Sequence, residues 1–225
     1  MSALQIICLA NSRKNRRRCV AGIRLDGGGW LRPVSADLDS HGGLTEESIR
    51  LPDRTTPRLL DVIEIPIASP CPSIYQPENY FISPEPWMLV ARPGSRTLLK
   101  SATIEYGPLL LGNQSDRIAP EAFASSPATS SLALAHPDEN KVMWHVTTSY
   151  RGAWQLRARF ALSSNTYDLV VTDSSWESKF HRLASGYYSS GQVGVPDDSS
   201  ILLTVSMGDP WNEICFKYVA GVLVL

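Results

Sequence analysis

The sequence predicts a mainly β chain in two parts with one short helix, and three observations carry that fold class. Short apolar or β-branched stretches bounded by Gly, Pro, Asn and Ser recur along the 225 residues. Helical spacing with a cap signal is persuasive in one segment only, beginning at Ser174. A Ser/Ala/Pro-rich stretch from Ser115 to Pro137 separates two groups of strand signals.

In the first group, residues 4–10 (LQIICLA), 18–25 (RCVAGIRL), 30–34 (WLRPV) and 59–67 (LLDVIEIPI) read as strands. Asp26-Gly27-Gly28-Gly29 supplies positive-φ residues for a tight turn, so 18–25 and 30–34 form a hairpin. Six prolines then fall between Pro66 and Pro86. Proline lacks the N–H that a ladder needs, so this segment is expected to cross the surface as an extended arm and not as a central strand. Strand signals resume at 141–148 (KVMWHVTT), 154–162 (WQLRARFAL) and 166–173 (TYDLVVTD). In WQLRARFAL, alternation gives one apolar face and one largely basic face. Ser174 and Glu177 fit a capping box, with Trp176, Phe180 and Leu183 on one helical face before Gly186. Residues 201–207 (ILLTVSM) and 215–225 (CFKYVAGVLVL) close the chain as strands. The expected organisation is a first domain over 1–114 with the proline-rich arm, a linker or excursion over 115–137, and a second domain over 138–225. The echo between CVAGI at 19–23 and YVAGV at 218–222 is either a trace of internal duplication or, the preferred reading, two buried strands, each with a Gly at a close backbone approach.

Composition narrows the function classes. A 43% hydrophobic and 19% charged chain of this length is globular and large enough for a core without staples. The 21 Lys+Arg against 22 Asp+Glu exclude binding to nucleic acid by bulk charge but leave room for a local basic patch. No apolar run approaches the roughly 20 residues that span a bilayer. Basic residues follow the apolar start instead of preceding it, which inverts a secretory signal, so a cytoplasmic location is expected. Cys8, Cys19, Cys71 and Cys215 form no CxxC pair, and the four His have no ligand spacing, so neither metal nor cofactor is signalled. Nucleophile-elbow, P-loop and zincin motifs do not occur, which points to a non-catalytic protein.

The sharpest local feature is Ser12-Arg13-Lys14-Asn15-Arg16-Arg17-Arg18, with five cations in six positions. Such a run suits phosphate binding, and it equally suits a solvated loop. Trp30 and Arg32 follow on the hairpin and can offer a stacking plane beside a guanidinium, or belong to the core. Gln76-Pro77-Glu78-Asn79-Tyr80 combines amides that donate and accept with an aromatic face, which suits base recognition, though a loop turn uses the same residues. Lys217 lies on the last strand beside Thr204 and Ser206 on its partner. Asp61, Glu64 and Glu78 become metal-binding carboxylates of a nucleotide enzyme only if they converge.

The strings CLANSRK at 8–14, RCVAG at 18–22, GWLRPVS at 29–35, QPEN at 76–79, LTVS at 203–206 and KYVA at 217–220 together resemble the dual OB-fold domain family of prokaryotic proteins. The resemblance implies two OB-like Greek-key β-barrels that present a face to single-stranded nucleic acid or a nucleotide, often within defence systems. On matching strings, Ser12, Arg13, Lys14, Trp30, Arg32, Ser35, Gln76, Glu78, Asn79 and Lys217 become the expected ligand surface. Arg16, Arg17, Arg18 and Tyr80 join it from their own chemistry. The rival reading is an adaptor whose barrels dock a partner enzyme, with the arginine run gripping an acidic protein surface.

Overall fold

The computed structural model describes residues 2–14, 17–92 and 102–225 and divides the chain into two compact units, Met1–Thr103 and Ile104–Leu225. The first unit contains strands β1 (Ser2–Lys14), β2 (Arg17–Arg24), β3 (Trp30–Val34), β4 (Val62–Pro70), β5 (Asn79–Ile82) and β6 (Met88–Ala91). Pairing runs β1-β2-β3-β5-β4, and β4 returns to β1, so five strands close into a barrel with β6 added on β4. All contacts in the ring are antiparallel except β3 with β5. The long β1 makes closure possible. Ser2 to Ile7 pairs with β4, and Ile6 to Lys14 pairs with β2 across a bulge between Cys8 and Ala10. Gly22 sits opposite Cys8, where an added Cβ would come within 2.0 Å of the Ile7 carbonyl oxygen, so only glycine fits there. Ile6, Cys8, Val20, Leu31, Ile63, Ile65 and Trp87 fill the core.

The expected hairpin is present as β2 and β3, with Gly27 and Gly29 at φ of 81° and 77°. The proline-rich segment differs from expectation. Pro72 and Pro77 lie in its turn and Pro84 and Pro86 beyond it, which leaves Asn79–Ile82 free of proline and able to pair on both sides, between β3 and β4. A central strand therefore stands where an arm is predicted.

The second unit contains β7 (Ile104–Glu105), β8 (Arg117–Ile118), β9 (Leu132–Ala135), β10 (Val142–Thr148), β11 (Trp154–Leu162), β12 (Asn165–Val171), β13 (Gly186–Ser189), β14 (Ile201–Met207) and β15 (Cys215–Val224), with short helices α1 (Ala122–Ser125) and α2 (Ser174–Glu177). Its order β10-β11-β12-β15-β14 repeats that of β1-β2-β3-β5-β4, including the parallel contact between third and fifth strands. Here the long first strand is split in two: β9 pairs with β14, β10 pairs with β11, and residues 136–141 join them. The serine-rich stretch at 115–137 thus contributes β8, α1 and β9 to the second unit, and the division between units falls ahead of it. The CVAGI and YVAGV strings fall on the second strand of one unit and the fifth strand of the other, so they are not equivalent positions.

Helix α2 is shorter than its pattern predicts and is capped by Asp173, not Ser174: the Asp173 carboxylate accepts from the backbone N–H groups of Ser175 and Trp176, and also from Val222 on β15. Trp176 and Phe180 still enter the core, and Leu183 packs against it, because the chain continues in tight turns past Glu177.

Candidate nucleic-acid interface

The basic run is not a loop beside the sheet but the end of the β1–β2 hairpin. Arg13 pairs with Arg18 and Lys14 with Arg17 across the two strands, while Arg16 and the Lys14 side chain lie outside the described residues. Backbone bonds of 2.7 and 2.8 Å tie Arg18 to Leu44, which brings the 37–46 segment under the hairpin end. That segment is acidic. Glu46 Oε1 lies 2.7 Å from Arg18 Nη2 and 3.5 Å from Arg13 Nη2, and Asp37 Oδ2 lies 3.7 Å from Arg17 Nη2. Arg18 chiefly, then Arg13, holds the Glu46 carboxyl below its ordinary range. Ser35 supports this arrangement: its hydroxyl accepts from the Asp37 backbone N–H. Three guanidinium groups therefore meet two carboxylates, and the uneven charge seen along the sequence is partly evened out by folding.

A second group gathers around β3 and β5. Ile23 on β2 faces Trp30 on β3, and Arg32 sits beside Asn79 in the parallel pair. Because Leu31 fills the core, alternation sends Trp30 and Arg32 to the outer face. The Arg32 guanidinium meets Glu78 at 3.2 Å, and both side chains are about nine-tenths buried. Asn79 donates to the Gln76 side chain at 3.0 Å, while Gln76 is held by Ser73 through the turn. Tyr80 projects to the other face, partly into the core, and its hydroxyl accepts from Arg24 at 3.2 Å. Arg24 is itself clamped by Asp26, which raises its pKa further and depresses that of Asp26.

The structure thus brings Trp30, Arg32 and Asn79 to one face of β3 and β5, with Gln76 and Glu78 in the turn leading into β5 and Tyr80 on the opposite face, and places Arg13, Arg17 and Arg18 at one end of the same sheet. Trp30 is level with Ile23, five residues from Arg18, or about 17 Å along the strand at about 3.3 Å per residue. Two expected residues stand apart. Ser12 is buried, with its hydroxyl on the Cys19 carbonyl. Lys217 belongs to the second unit, where it is 2% exposed and its ammonium donates to the carbonyl oxygens of Leu110 and Asn113 and to the Asn113 side chain. Such a caged ammonium ties a loop to β15. Its geometry offers nothing to a ligand.

The carboxylates considered for a metal have separate partners. Asp61 faces Arg92, Glu64 accepts from Gln5, and Glu78 holds Arg32. Among the described residues no group of three His, Cys, Asp or Glu is placed to hold a metal ion. What sequence reasoning missed is the pairing of the arginine run with Asp37 and Glu46. The acidic residues were visible, but the contact spans 28 residues and depends on the bridge between Arg18 and Leu44.

The model of the family described as "Dual OB-containing domain" matches residues 4–222, nearly the whole chain. No curated protein matches. Among solved structures, one titled as a murine DNA binding protein bound with double-stranded DNA aligns over 100% of this chain and 98% of its own, at 8% identity and a TM-score of 0.31. That likeness is too slight to bear on the fold.

Proposed function

Because the chain belongs to the dual OB-containing domain family, we propose that its first barrel is a non-catalytic module that binds single-stranded nucleic acid across the β1–β2–β3 sheet. OB folds generally present this part of the barrel to oligonucleotides. The observation that carries the reading is direct pairing of β1, β2 and β3: Arg17 falls on the same face of this sheet as Ile23 and Trp30, with Arg13 and Arg18 paired at the same hairpin end from the other face.

Magnitudes divide the roles. Exposed ion pairs are worth less than a factor of about five in an equilibrium constant, so phosphates can displace Asp37 and Glu46 from Arg13, Arg17 and Arg18. A buried pair is different, because separating it strands a charge in a low-dielectric site. Arg32 and Glu78 therefore hold β3 against β5 and fix the platform on which Trp30 stands. Trp30 supplies a stacking plane, and Asn79, level with Arg32 and held by the Gln76 side chain, supports it from the next strand.

The test is fluorescence anisotropy with labelled single-stranded DNA, single-stranded RNA and duplex at rising salt. Single strands are expected to bind with a log-log salt slope of about −2, from three phosphate contacts at about −0.7 each. Trp30→Ala is expected to weaken binding by about five- to 150-fold and Trp30→Phe to restore most of it, since stacking needs only an aromatic plane. Absence of binding to any of the three at low salt, with the circular dichroism of the fold intact, overturns the proposal.

A further inference from the structure

The outer face of the second unit carries a pocket that the first barrel does not explain. Three strands build it. Met143 on β10 pairs with Ser189 of β13 on one side and with Arg159 of β11 on the other. One row along, His145 pairs with Tyr187 and with Arg157. These side chains share the outer face, because the intervening Trp144 and Ala158 are wholly buried in the core. Segment 191–201 forms a wall, pinned where the Asn140 side chain bonds the backbone of Ser199 and Ile201. The resulting pocket measures about 860 Å³, within the range of small-ligand sites.

Two features of its lining point to a ligand. The Tyr187 ring is stacked on His145, with centroids 4.1 Å apart and planes 11° from parallel, yet remains 56% exposed. One face is backed by the imidazole and the rest is open. Arg159 is the second feature. Asp168 lies opposite it in register, but that carboxylate is taken by Arg157, whose guanidinium donates to both the Asp168 side chain and its backbone oxygen at 2.6 Å. Arg159 is exposed, and its guanidinium makes no ion pair or hydrogen bond among the described residues. The charge of the lining restricts the ligand further. Two cations, Arg159 and Lys141, stand against two anions, Glu139 and Asp197, and Lys141 already pairs with Glu139. A lining of balanced charge suits a ligand with one anionic group and disfavours polyphosphates.

We propose that this pocket binds a planar heteroaromatic ring bearing a single phosphate, of nucleoside monophosphate size. The ring stacks on Tyr187, with Met143 beneath it, and the phosphate meets Arg159. Asp197 is available to accept from an exocyclic amine. A free nucleotide and the terminal nucleotide of a strand share this chemistry.

The full-length protein is titrated with adenosine 5′-monophosphate, adenosine, inorganic phosphate and a single strand ending in a 5′-phosphate. The monophosphate is expected to bind at least tenfold more tightly than adenosine or phosphate alone. Arg159→Gln is expected to weaken the monophosphate about tenfold and leave adenosine unchanged, the loss of one charge-assisted contact. Tyr187→Ala is expected to weaken both by about fivefold or more, and Tyr187→Phe to restore them. If Arg159→Gln weakens the strand as much as the monophosphate, the site takes strand ends; if the strand is unaffected, it takes the free nucleotide. No saturable binding of the monophosphate up to about 10 mM, or binding indifferent to both Arg159→Gln and Tyr187→Ala, overturns the proposal. Trp30→Ala is carried in parallel. A defect there without a change in the monophosphate titration separates this site from the first barrel.

Discussion

Glu46→Gln is expected to tighten nucleic-acid binding, the opposite of what most surface substitutions near a ligand do. Glu46 Oε1 contacts two guanidinium groups at once, at 2.7 Å from Arg18 and 3.5 Å from Arg13. A phosphate that engages those arginines must first displace the carboxylate or accept it as a repelling neighbour. With the carboxylate replaced by a neutral amide, neither cost remains. Two exposed contacts, each worth less than about fivefold, put the expected gain at about three- to tenfold in affinity for a single strand of about 15 nucleotides. The assay is anisotropy at fixed, moderate salt, with Asp53→Asn as a control for net charge. Asp53 is also an exposed acid in an ion pair, but its partner is Arg92, not the hairpin arginines. The control is expected to change affinity by less than about twofold. Unchanged or weaker binding by Glu46→Gln, or an equal gain from Asp53→Asn, refutes displacement of Glu46 as a step in binding.

Three further outcomes follow from other parts of the fold. Arg32→Met is expected to cost about 3–5 kcal/mol in urea unfolding because it leaves Glu78 buried and uncompensated, while the double change Arg32→Met with Glu78→Leu recovers most of that loss; a double variant no better than the single one contradicts the assignment of this pair. Asp173→Ala is expected to cost about 2–3 kcal/mol, from the lost cap and the orphaned Val222 N–H, and a loss below about 0.5 kcal/mol tells against the cap. Burial pulls Lys217 from 10.5 down to about 8, with Asp116 opposing. Its folded pKa is below its unfolded one, so between about pH 8 and 10.5 the unfolded chain holds more protons and stability rises with pH. Relative to Lys217→Met, the wild type is expected to gain about 2 kcal/mol between pH 7 and 9.5; a flat or falling difference contradicts the buried ammonium.

Strands were legible where alternation and turn residues agree. Residues 30–34, 154–162 and 201–207 coincide with β3, β11 and β14. Strand β5 was hidden because prolines flank it, although its own four residues can pair on both edges. Strands β7, β8 and β13 have two to four residues each, too few to show a period, and depend on the strands beside them. In the candidate site, residue chemistry singles out Trp30, Arg32 and Asn79 and the family resemblance adds Glu78, and the parallel pairing of β3 with β5 places Arg32 beside Asn79. The Lys217 cage and the Glu46 bridge were not legible, since each joins residues far apart in sequence. The second-unit pocket left one trace, the basic face of WQLRARFAL, but its aromatic element comes from β13.

Photo-crosslinking tests the central claim most directly. A single strand carrying a photoreactive base is bound at low salt, irradiated and mapped by peptide mass spectrometry. Adducts are expected on Trp30 and on the peptides of the β1–β2 hairpin end, and they are expected to fall in Trp30→Ala and in Arg13→Gln with Arg17→Gln. Adducts confined to the second unit, or unchanged by those substitutions, would contradict the assignment of the first barrel as the nucleic-acid surface.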